Sequence, residues 1–167
     1  MHDIGVCILM KKYALAALGG TFDLLHRGHL ELLRNGFEIS SKVIIGLASD
    51  ELAKRKGKNL INNYKQRYDA LESAIKKNFP DALYDISKLE NDFGRAVLEK
   101  EIEALVVSDE TAFQGKELNK LRRQRNSPDV EVIVVPMELA KDGKRISTTR
   151  IRNSEIDSDG NILAVDK

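Results

Sequence analysis

The chain has 167 residues, of which 42% are hydrophobic and 32% are charged, a composition that suits one soluble globular domain. Its 27 basic and 26 acidic residues nearly cancel, so no overall field attracts nucleic acid or a membrane surface, and we expect neither as a partner. The single cysteine, Cys7, excludes an internal disulfide, and no apolar run reaches the ~20 residues that span a bilayer, so we expect a cytoplasmic protein.

The first predicted elements flank a glycine-rich turn. The apolar run over residues 13–18 predicts a buried parallel strand. The spacing of Leu30, Leu33 and Phe37 predicts an amphipathic helix. Between them stands the sequence G-G-T-F-D-L-L-H-R-G-H, residues 19–29. Free backbone N–H groups and the helix dipole make such a strand-to-helix turn attractive to an anion.

The side chains of this turn suit a phosphate ligand. Gly20 lets the backbone approach a ligand closely, and Thr21 adds a hydroxyl. His26 and His29 lie three residues apart around Gly28, so both imidazoles can lean toward one phosphate. The alternative is that the glycines serve only the geometry of the turn and that the histidines cap or fill it. Two of the chain's three histidines fall within four positions, which favours the phosphate site.

Strands and helices alternate along the rest of the chain. Strands are predicted at residues 42–48, 83–86, 104–107 and 130–135, and helices at residues 51–54, 64–78, 95–100 and 115–125. In the last of these helices we expect Leu118 and Leu121 to face the core, and Arg122, Arg123 and Arg125 to be solvated. This alternation predicts an α/β fold with a Rossmann-like, doubly wound parallel sheet of five strands.

The predicted domain occupies most of the chain. Met10, Lys11 and Lys12 resemble a natural start just before the first strand, and the opening residues lack the basic region of a signal peptide. We therefore expect an N-terminal extension over residues 1–11, one domain over residues 12–157 and a polar tail over residues 158–167.

A basic loop follows the second predicted strand and contains Lys54, Arg55, Lys56 and Lys58. A run of charges is usually a solvated surface. This run, however, leaves the carboxyl end of a parallel strand, which is the edge where open α/β sheets bind ligands. The loop would suit a phosphorylated substrate or a departing pyrophosphate.

A second phosphate-binding segment is predicted at Ser147, Thr148, Thr149 and Arg150. Hydroxyl side chains before an arginine-rich segment are typical of a helix N-terminus whose hydroxyl and N–H groups bind phosphate. A simple helix cap is the alternative, and it would be preferred if this segment stood alone. Arg95, at the start of an earlier predicted helix, is placed either to reach a phosphate or to form a surface ion pair.

The string T-F-D-x-x-H-x-G-H and the string I-S-T-T-R-I at residues 146–151 resemble the signature of the nucleotidylyltransferase superfamily. Glycerol-phosphate cytidylyltransferases share these strings and resemble the chain also at residues 46–51 and 56–58. Archaeal-type phosphopantetheine adenylyltransferases share more of the second half, at residues 106–111, 118–123, 142–147 and 149–157. The resemblance therefore favours the adenylyltransferases, although Asp109 stands where that family often has proline.

The resemblance implies which residues contact the substrates. His29 would be the transition-state donor, with His26 and Thr21 as the other catalytic residues. Lys54, Lys56 and Lys58 would join Thr21 in binding the phosphate of the acceptor. The implied nucleotide-binding residues are Gly20, Thr21, Phe22, His26, Gly28, His29, Asp109, Ser147, Thr148, Thr149 and Arg150.

The resemblance also implies a reaction, the transfer of an adenylyl group from ATP to 4′-phosphopantetheine in coenzyme A biosynthesis. The products would be dephospho-coenzyme A and pyrophosphate, formed by direct in-line attack without a covalent enzyme intermediate. Mg²⁺ is expected with ATP, while no carboxylate cluster of the sequence marks a protein metal site. Two alternatives stay open: cytidylyl transfer from CTP to glycerol phosphate, and a non-catalytic nucleotide-binding module.

Overall fold

The computed structural model describes residues 11–163. Residues 1–10 of the predicted extension and residues 164–167 of the predicted tail lie outside the described residues. The strands are β1 (Tyr13–Gly20), β2 (Ser40–Ala48), β3 (Tyr84–Leu89), β4 (Ala104–Ser108) and β5 (Glu131–Val135). The helices are α1 (Arg27–Ile39), α2 (Asp50–Arg55), α3 (Tyr64–Asn78), α4 (Arg95–Leu98), α5 (Gln114–Gln124) and α6 (Thr148–Arg152), with a 3-10 helix at Asp109–Thr111.

The five strands form one parallel sheet in the order β3-β2-β1-β4-β5. The first strand is therefore central, with β2 on one side and β4 on the other. Because the chain winds outward from β1 in both directions, a crevice opens at the carboxyl ends of β1 and β4. The predicted five-stranded, doubly wound α/β sheet is confirmed, and β1 delivers the glycine-rich turn to this crevice.

Helices cover both faces of the sheet, which explains why its central strands are apolar almost throughout. Alternate residues of β2 point to opposite faces. Ile45 lies in a buried cluster with Leu33 of α1 and Leu71 of α3. Ile44 lies in a second cluster with Leu118 of α5. These two cores fix the helices, and with them the loops at the carboxyl edge of the sheet.

Helix α5 differs from its predicted orientation at two neighbouring positions. Leu118 is buried as predicted, but Leu121 is exposed, and the prediction for it was wrong. The prediction that Arg122 is solvated was also wrong, because its side chain is fully buried. Arg123 and Arg125 are exposed as predicted.

The donors of the buried Arg122 guanidinium are satisfied by backbone carbonyls. Its guanidinium donates to five carbonyl oxygens at 2.6–3.3 Å, those of Ala96, Glu99, Lys100, Ile102 and Pro128. Several of these carbonyls end the short helix α4, where the helix dipole favours a cation. Arg122 therefore joins α5 to α4 and to the strand that follows it, a role that helical periodicity cannot reveal.

The described part of the predicted tail, residues 158–163, is hydrogen-bonded to the rest of the domain. The Ser158 carbonyl accepts the N–H of Arg27 at 2.9 Å, and the Gly160 carbonyl accepts the N–H of Lys141 at 2.9 Å. Ile156 just before it is fully buried. Within residues 11–163, no helix combines the length and the apolar character that crossing a membrane requires.

Candidate active site

A cavity of about 670 Å³ lies at the carboxyl ends of β1 and β4. Its wall is formed by the turn after β1, the loop after α2, the 3-10 helix after β4 and the start of α6. Most of the predicted site residues line it: Gly20, Thr21, Phe22, His26, Gly28, His29, Lys56, Lys58, Ser147, Thr148 and Thr149. The two predicted phosphate-binding segments, far apart in sequence, thus meet in one cavity.

Three predicted site residues, Lys54, Asp109 and Arg150, do not line the cavity. Lys54 is exposed in the last turn of α2, while Lys56 and Lys58 follow in the loop that does reach the cavity. Asp109 is exposed at the start of the 3-10 helix, whose other two residues line the cavity instead.

The Arg150 guanidinium is held on the outer side of α6. It pairs with Asp142, donates to the carbonyl of Arg145 at 2.9 Å and lies 3.7 Å from a carboxylate oxygen of Glu155. Ser147 is the N-cap of α6, so the next two residues face the cavity and Arg150, a further ~100° around the helix, turns away from it. The arginines that line the cavity at this end are Arg145 and Arg152.

His26 and His29 cap the N-terminus of α1 reciprocally. Nδ1 of His26 accepts the N–H of Gly28 at 3.0 Å, and Nδ1 of His29 accepts the N–H of His26 at 3.3 Å. The two rings stack with centroids 3.8 Å apart. A ring nitrogen that accepts a hydrogen bond carries no proton, so each neutral imidazole has its proton on Nε2. The cap therefore provides two Nε2–H donors beside the cavity.

Both imidazoles are neutral at physiological pH. Burial and, to a smaller extent, the positive charge of Arg145 together lower the pKa of His26 to about 4. Burial also lowers the pKa of His29 to about 3, with smaller contributions from His26 and Arg145. Gly28 leaves room for this arrangement, because a β-carbon there would lie only 2.8 Å from Cε1 of His26.

The backbone between Thr21 and the histidines has an unusual conformation. Phe22 has a φ of 50°, in the left-handed region that side chains other than glycine rarely adopt. Its ring is buried and packs beside His29 with ring centroids 5.1 Å apart. Gly20 faces the same ring, since a β-carbon on it would lie 3.1 Å from Cε2 of Phe22. The turn after β1 is thus shaped by Phe22 as well as by glycine.

Comparison with known proteins places this site in a family. A family model described as cytidylyltransferase-like matches residues 17–154. The phosphopantetheine adenylyltransferase of Methanothermobacter thermautotrophicus is 40% identical over 155 residues, 93% of each chain. That of Pyrococcus horikoshii is 37% identical over 154 residues, 91% of this chain and 96% of the relative. The chain belongs to the phosphopantetheine adenylyltransferase family.

Membership of the phosphopantetheine adenylyltransferase family confirms the resemblance found in the second half of the sequence, and this family consists of nucleotidyltransferases. The fold agrees with a solved structure as well. A protein of unknown function from Archaeoglobus fulgidus superposes with a TM-score of 0.66 and 26% identity, covering 73% of this chain and 88% of that one.

Two cations that line the cavity, Arg145 and Arg152, had no predicted role. Arg145 forms an ion pair with Glu110 of the 3-10 helix. Arg152 donates to the carbonyl of Asn59 at 2.7 Å and so joins α6 to the loop after α2. Arg145 lies before the predicted Ser147 segment and Arg152 after it. The sequence does not show which arginines near this segment face the cavity.

Arg95 forms the ion pair that was one of its two alternatives, and its contact with a phosphate stays a prediction. It lines the cavity, and its guanidinium is ion-paired with Glu99 at 2.6 Å and with Asp85 at 3.5 Å. Over residues 11–163, no group of three or more histidine, cysteine, aspartate or glutamate side chains is placed to hold a metal ion. A divalent cation here would take its oxygen ligands mainly from a bound nucleotide and water.

Proposed function

We propose that this protein transfers the adenylyl group of ATP to 4′-phosphopantetheine, forming dephospho-coenzyme A and pyrophosphate. The observation that carries the proposal is the pair of neutral imidazoles that present Nε2–H donors beside Thr21, in a chain 40% identical to a phosphopantetheine adenylyltransferase. A cavity of about 670 Å³ is large enough for a nucleotide together with part of an acceptor.

The reaction needs no protein nucleophile, because the acceptor brings its own. A phosphate oxygen of 4′-phosphopantetheine attacks the α-phosphorus of ATP, and a new P–O–P bond forms. The bond from the α-phosphorus to the bridging oxygen breaks, and its electron pair leaves with pyrophosphate. Catalysis then depends on alignment and on donors that stabilise the charge gained by the phosphoryl and leaving oxygens.

The donors for this charge come from the start of α1. We assign His29 Nε2–H to the α-phosphoryl oxygens in the transition state and His26 Nε2–H to the nucleotide phosphates in the ground state. Thr21 lies between donor and acceptor, with the backbone N–H of Phe22 beside it. Uncharged donors suit this role because both keep their protons throughout the pH range near 7.

The two substrates occupy opposite ends of the cavity. Ser147, Thr148 and Thr149 bind the β- and γ-phosphates at the start of α6, and Arg145 supplies there the positive charge that the sequence had suggested for Arg150. Lys56 and Lys58 bind the acceptor phosphate at the other end. Mg²⁺, bound by the triphosphate itself, neutralises part of its negative charge.

Pyrophosphate release tests the proposal. Purified protein is mixed with each of ATP, CTP, GTP and UTP, in all pairings with 4′-phosphopantetheine and glycerol 3-phosphate, in the presence of Mg²⁺. We expect the pair of ATP and 4′-phosphopantetheine to have the highest kcat/KM. A higher value for CTP with glycerol 3-phosphate would establish a cytidylyltransferase instead, and no release with any pair would contradict the proposed transfer reaction.

A further inference from the structure

The guanidinium of Arg67 lies at the centre of the loops that surround the cavity. Arg67 belongs to α3, and its side chain is fully buried. Nε donates to the Asn62 carbonyl at 3.2 Å, and Nη2 donates to Oδ1 of Asp50 at 2.7 Å. Nη1 donates to two carbonyl oxygens, those of Thr21 at 2.9 Å and Ala48 at 2.8 Å.

These partners come from separate segments that each contribute to the cavity wall. Thr21 belongs to the turn after β1, and Ala48 ends β2. Asn62 precedes α3 and is tied to the same turn, because its backbone N–H donates to Oδ1 of Asp23 at 2.9 Å. Burying a guanidinium is costly unless it is paired and bonded at every donor. For stability alone, an apolar side chain such as Leu71 one turn later would serve α3 as well.

The bond to Thr21 also fixes an N–H group. The Thr21 carbonyl and the Phe22 N–H belong to one peptide unit, and no peptide bond among residues 11–163 is cis. In a trans peptide the carbonyl and the N–H point in opposite directions. Since the carbonyl points to Arg67 in the interior, the Phe22 N–H points away from Arg67, and both residues of this peptide, Thr21 and Phe22, line the cavity.

The positive φ of Phe22 is what we expect if neighbouring side chains fix the orientation of the peptide between Thr21 and Phe22. This conformation costs about 1 kcal/mol or more for a residue with a side chain, so it persists only where its surroundings enforce it. The buried ring of Phe22 holds one side of the peptide, and Arg67 holds the other.

We infer that Arg67 is a positioning residue for catalysis: by binding the Thr21 carbonyl, it aims the Phe22 N–H at a phosphoryl oxygen of the group in transfer. This inference rests on the proposed function for its substrates. The N–H is then a preorganised donor, and its direction depends on a side chain that does not itself touch the nucleotide.

Kinetics of Arg67→Lys test the inference. A lysine keeps the charge but has one nitrogen, which cannot reach the Thr21, Ala48 and Asn62 carbonyls and the Asp50 carboxylate together. We expect kcat to fall about 10- to 100-fold, somewhat less than for outright loss of a transition-state donor. The KM for ATP should change less than about threefold, because a misaimed N–H weakens the transition state more than the bound substrate.

Arg122→Lys is the matched control. Arg122 is the other fully buried arginine of the described residues, it is likewise bonded to backbone carbonyls, and it does not line the cavity. We expect it to lower the thermal midpoint as much as Arg67→Lys does while leaving kcat within about twofold. If Arg67→Lys lowers the midpoint but leaves kcat within about twofold too, Arg67 is only structural and the inference is wrong.

A second measurement observes the N–H directly. The chain has five phenylalanines, so ¹⁵N-phenylalanine labelling gives few amide signals, and Phe22→Leu identifies that of Phe22. We expect α,β-methylene-ATP to shift the Phe22 proton signal downfield in the unmodified protein and not in Arg67→Lys. No such shift in the unmodified protein would overturn the inference, even if Arg67→Lys does not fold. Failure of the proposed function is separate, since it appears as absent pyrophosphate release from the unmodified protein.

Discussion

Nδ1 of His29 accepts the backbone N–H of His26 at 3.3 Å, so the second histidine of the turn holds the first helical turn in place with one nitrogen and keeps the other free. The same holds for His26, whose Nδ1 is taken by the Gly28 N–H. In each ring, Nδ1 therefore stabilises the helix start, and Nε2 is available to a ligand. The experiments on these residues have to separate the two roles.

Substitution of His29 tests its role as transition-state donor. We expect His29→Ala to lower kcat by about 10²–10³, the usual effect of removing one preorganised donor, with a much smaller change in the KM for ATP. Loss of the cap should also lower stability by about 1 kcal/mol. His29→Asn is the matched variant, because its amide oxygen retains a cap. A folded His29→Ala protein with normal kcat would rule out the proposed mechanism.

The lowered pKa values of the two imidazoles predict acid sensitivity. Unfolding returns each pKa to its ordinary value of 6.5, so the unfolded chain binds more protons than the folded one between pH 6.5 and about 3. The stability that neutral imidazoles contribute is complete above pH 6.5 and is lost progressively as the pH falls toward their folded pKa values. A scan of thermal midpoints from pH 7.5 to 4.5 measures this. The thermal midpoint of the double variant His26→Asn, His29→Asn should fall less over that range. An identical fall in both proteins would contradict the lowered pKa values of the two imidazoles.

The ion pair of Arg145 with Glu110 predicts a competition with nucleotide. In our proposal the same guanidinium binds the triphosphate, so the Glu110 carboxylate competes for it. A pair this exposed contributes roughly 0–1 kcal/mol, which limits the effect to about fivefold. We expect Glu110→Gln to lower the KM for ATP by about two- to fivefold, and Arg145→Ala to raise it.

Glu138→Gln is the control for Glu110. Glu138 also lines the cavity, but its carboxylate pairs with Arg27, at 3.2 Å. Removing it takes one negative charge from the same cavity without releasing Arg145. Equal decreases of the ATP KM in both variants would attribute the effect to general electrostatics and not to the pair.

Neighbouring lysines of the basic loop test where the acceptor phosphate binds. Lys58 lines the cavity and Lys54 does not. We expect Lys58→Ala to raise the KM for 4′-phosphopantetheine several-fold with little change in the KM for ATP, and Lys54→Ala to leave both unchanged. Lys56→Ala should resemble Lys58→Ala more weakly, because Lys56 is already paired with Asp92 at 2.5 Å. An equal effect of Lys54→Ala would mean that the acceptor lies elsewhere.

The sequence predicted the sheet and the imidazole pair because both depend on local patterns. Apolar runs mark strands buried on both faces, and the glycine-rich turn joins the first strand to the first helix. Buried Arg67 and Arg122 escaped prediction, since helical periodicity treats arginine as a surface residue. Their burial depends on carbonyls from distant segments, such as Thr21 for the one and Ala96 for the other.

The arginine that lines the cavity before the Ser147 segment is Arg145, and not the predicted Arg150. Both flank Ser147, and the sequence suggested a phosphate-binding role for Arg150 alone. Helix α6, which starts after the N-cap Ser147, turns Arg150 toward Asp142, whereas Arg145 lies before the helix and lines the cavity.

The first turn of α1 contains no acidic residue, and its cap consists of two uncharged rings. The partial positive charge at this helix end therefore has no counter-charge within its own cap. An anion from solution would supply that counter-charge at the first turn of α1. Amide hydrogen exchange at residues 27–30 should consequently slow when nucleotide, pyrophosphate or even buffer phosphate is present, so that the substrate which the site binds also stabilises the helix that builds it.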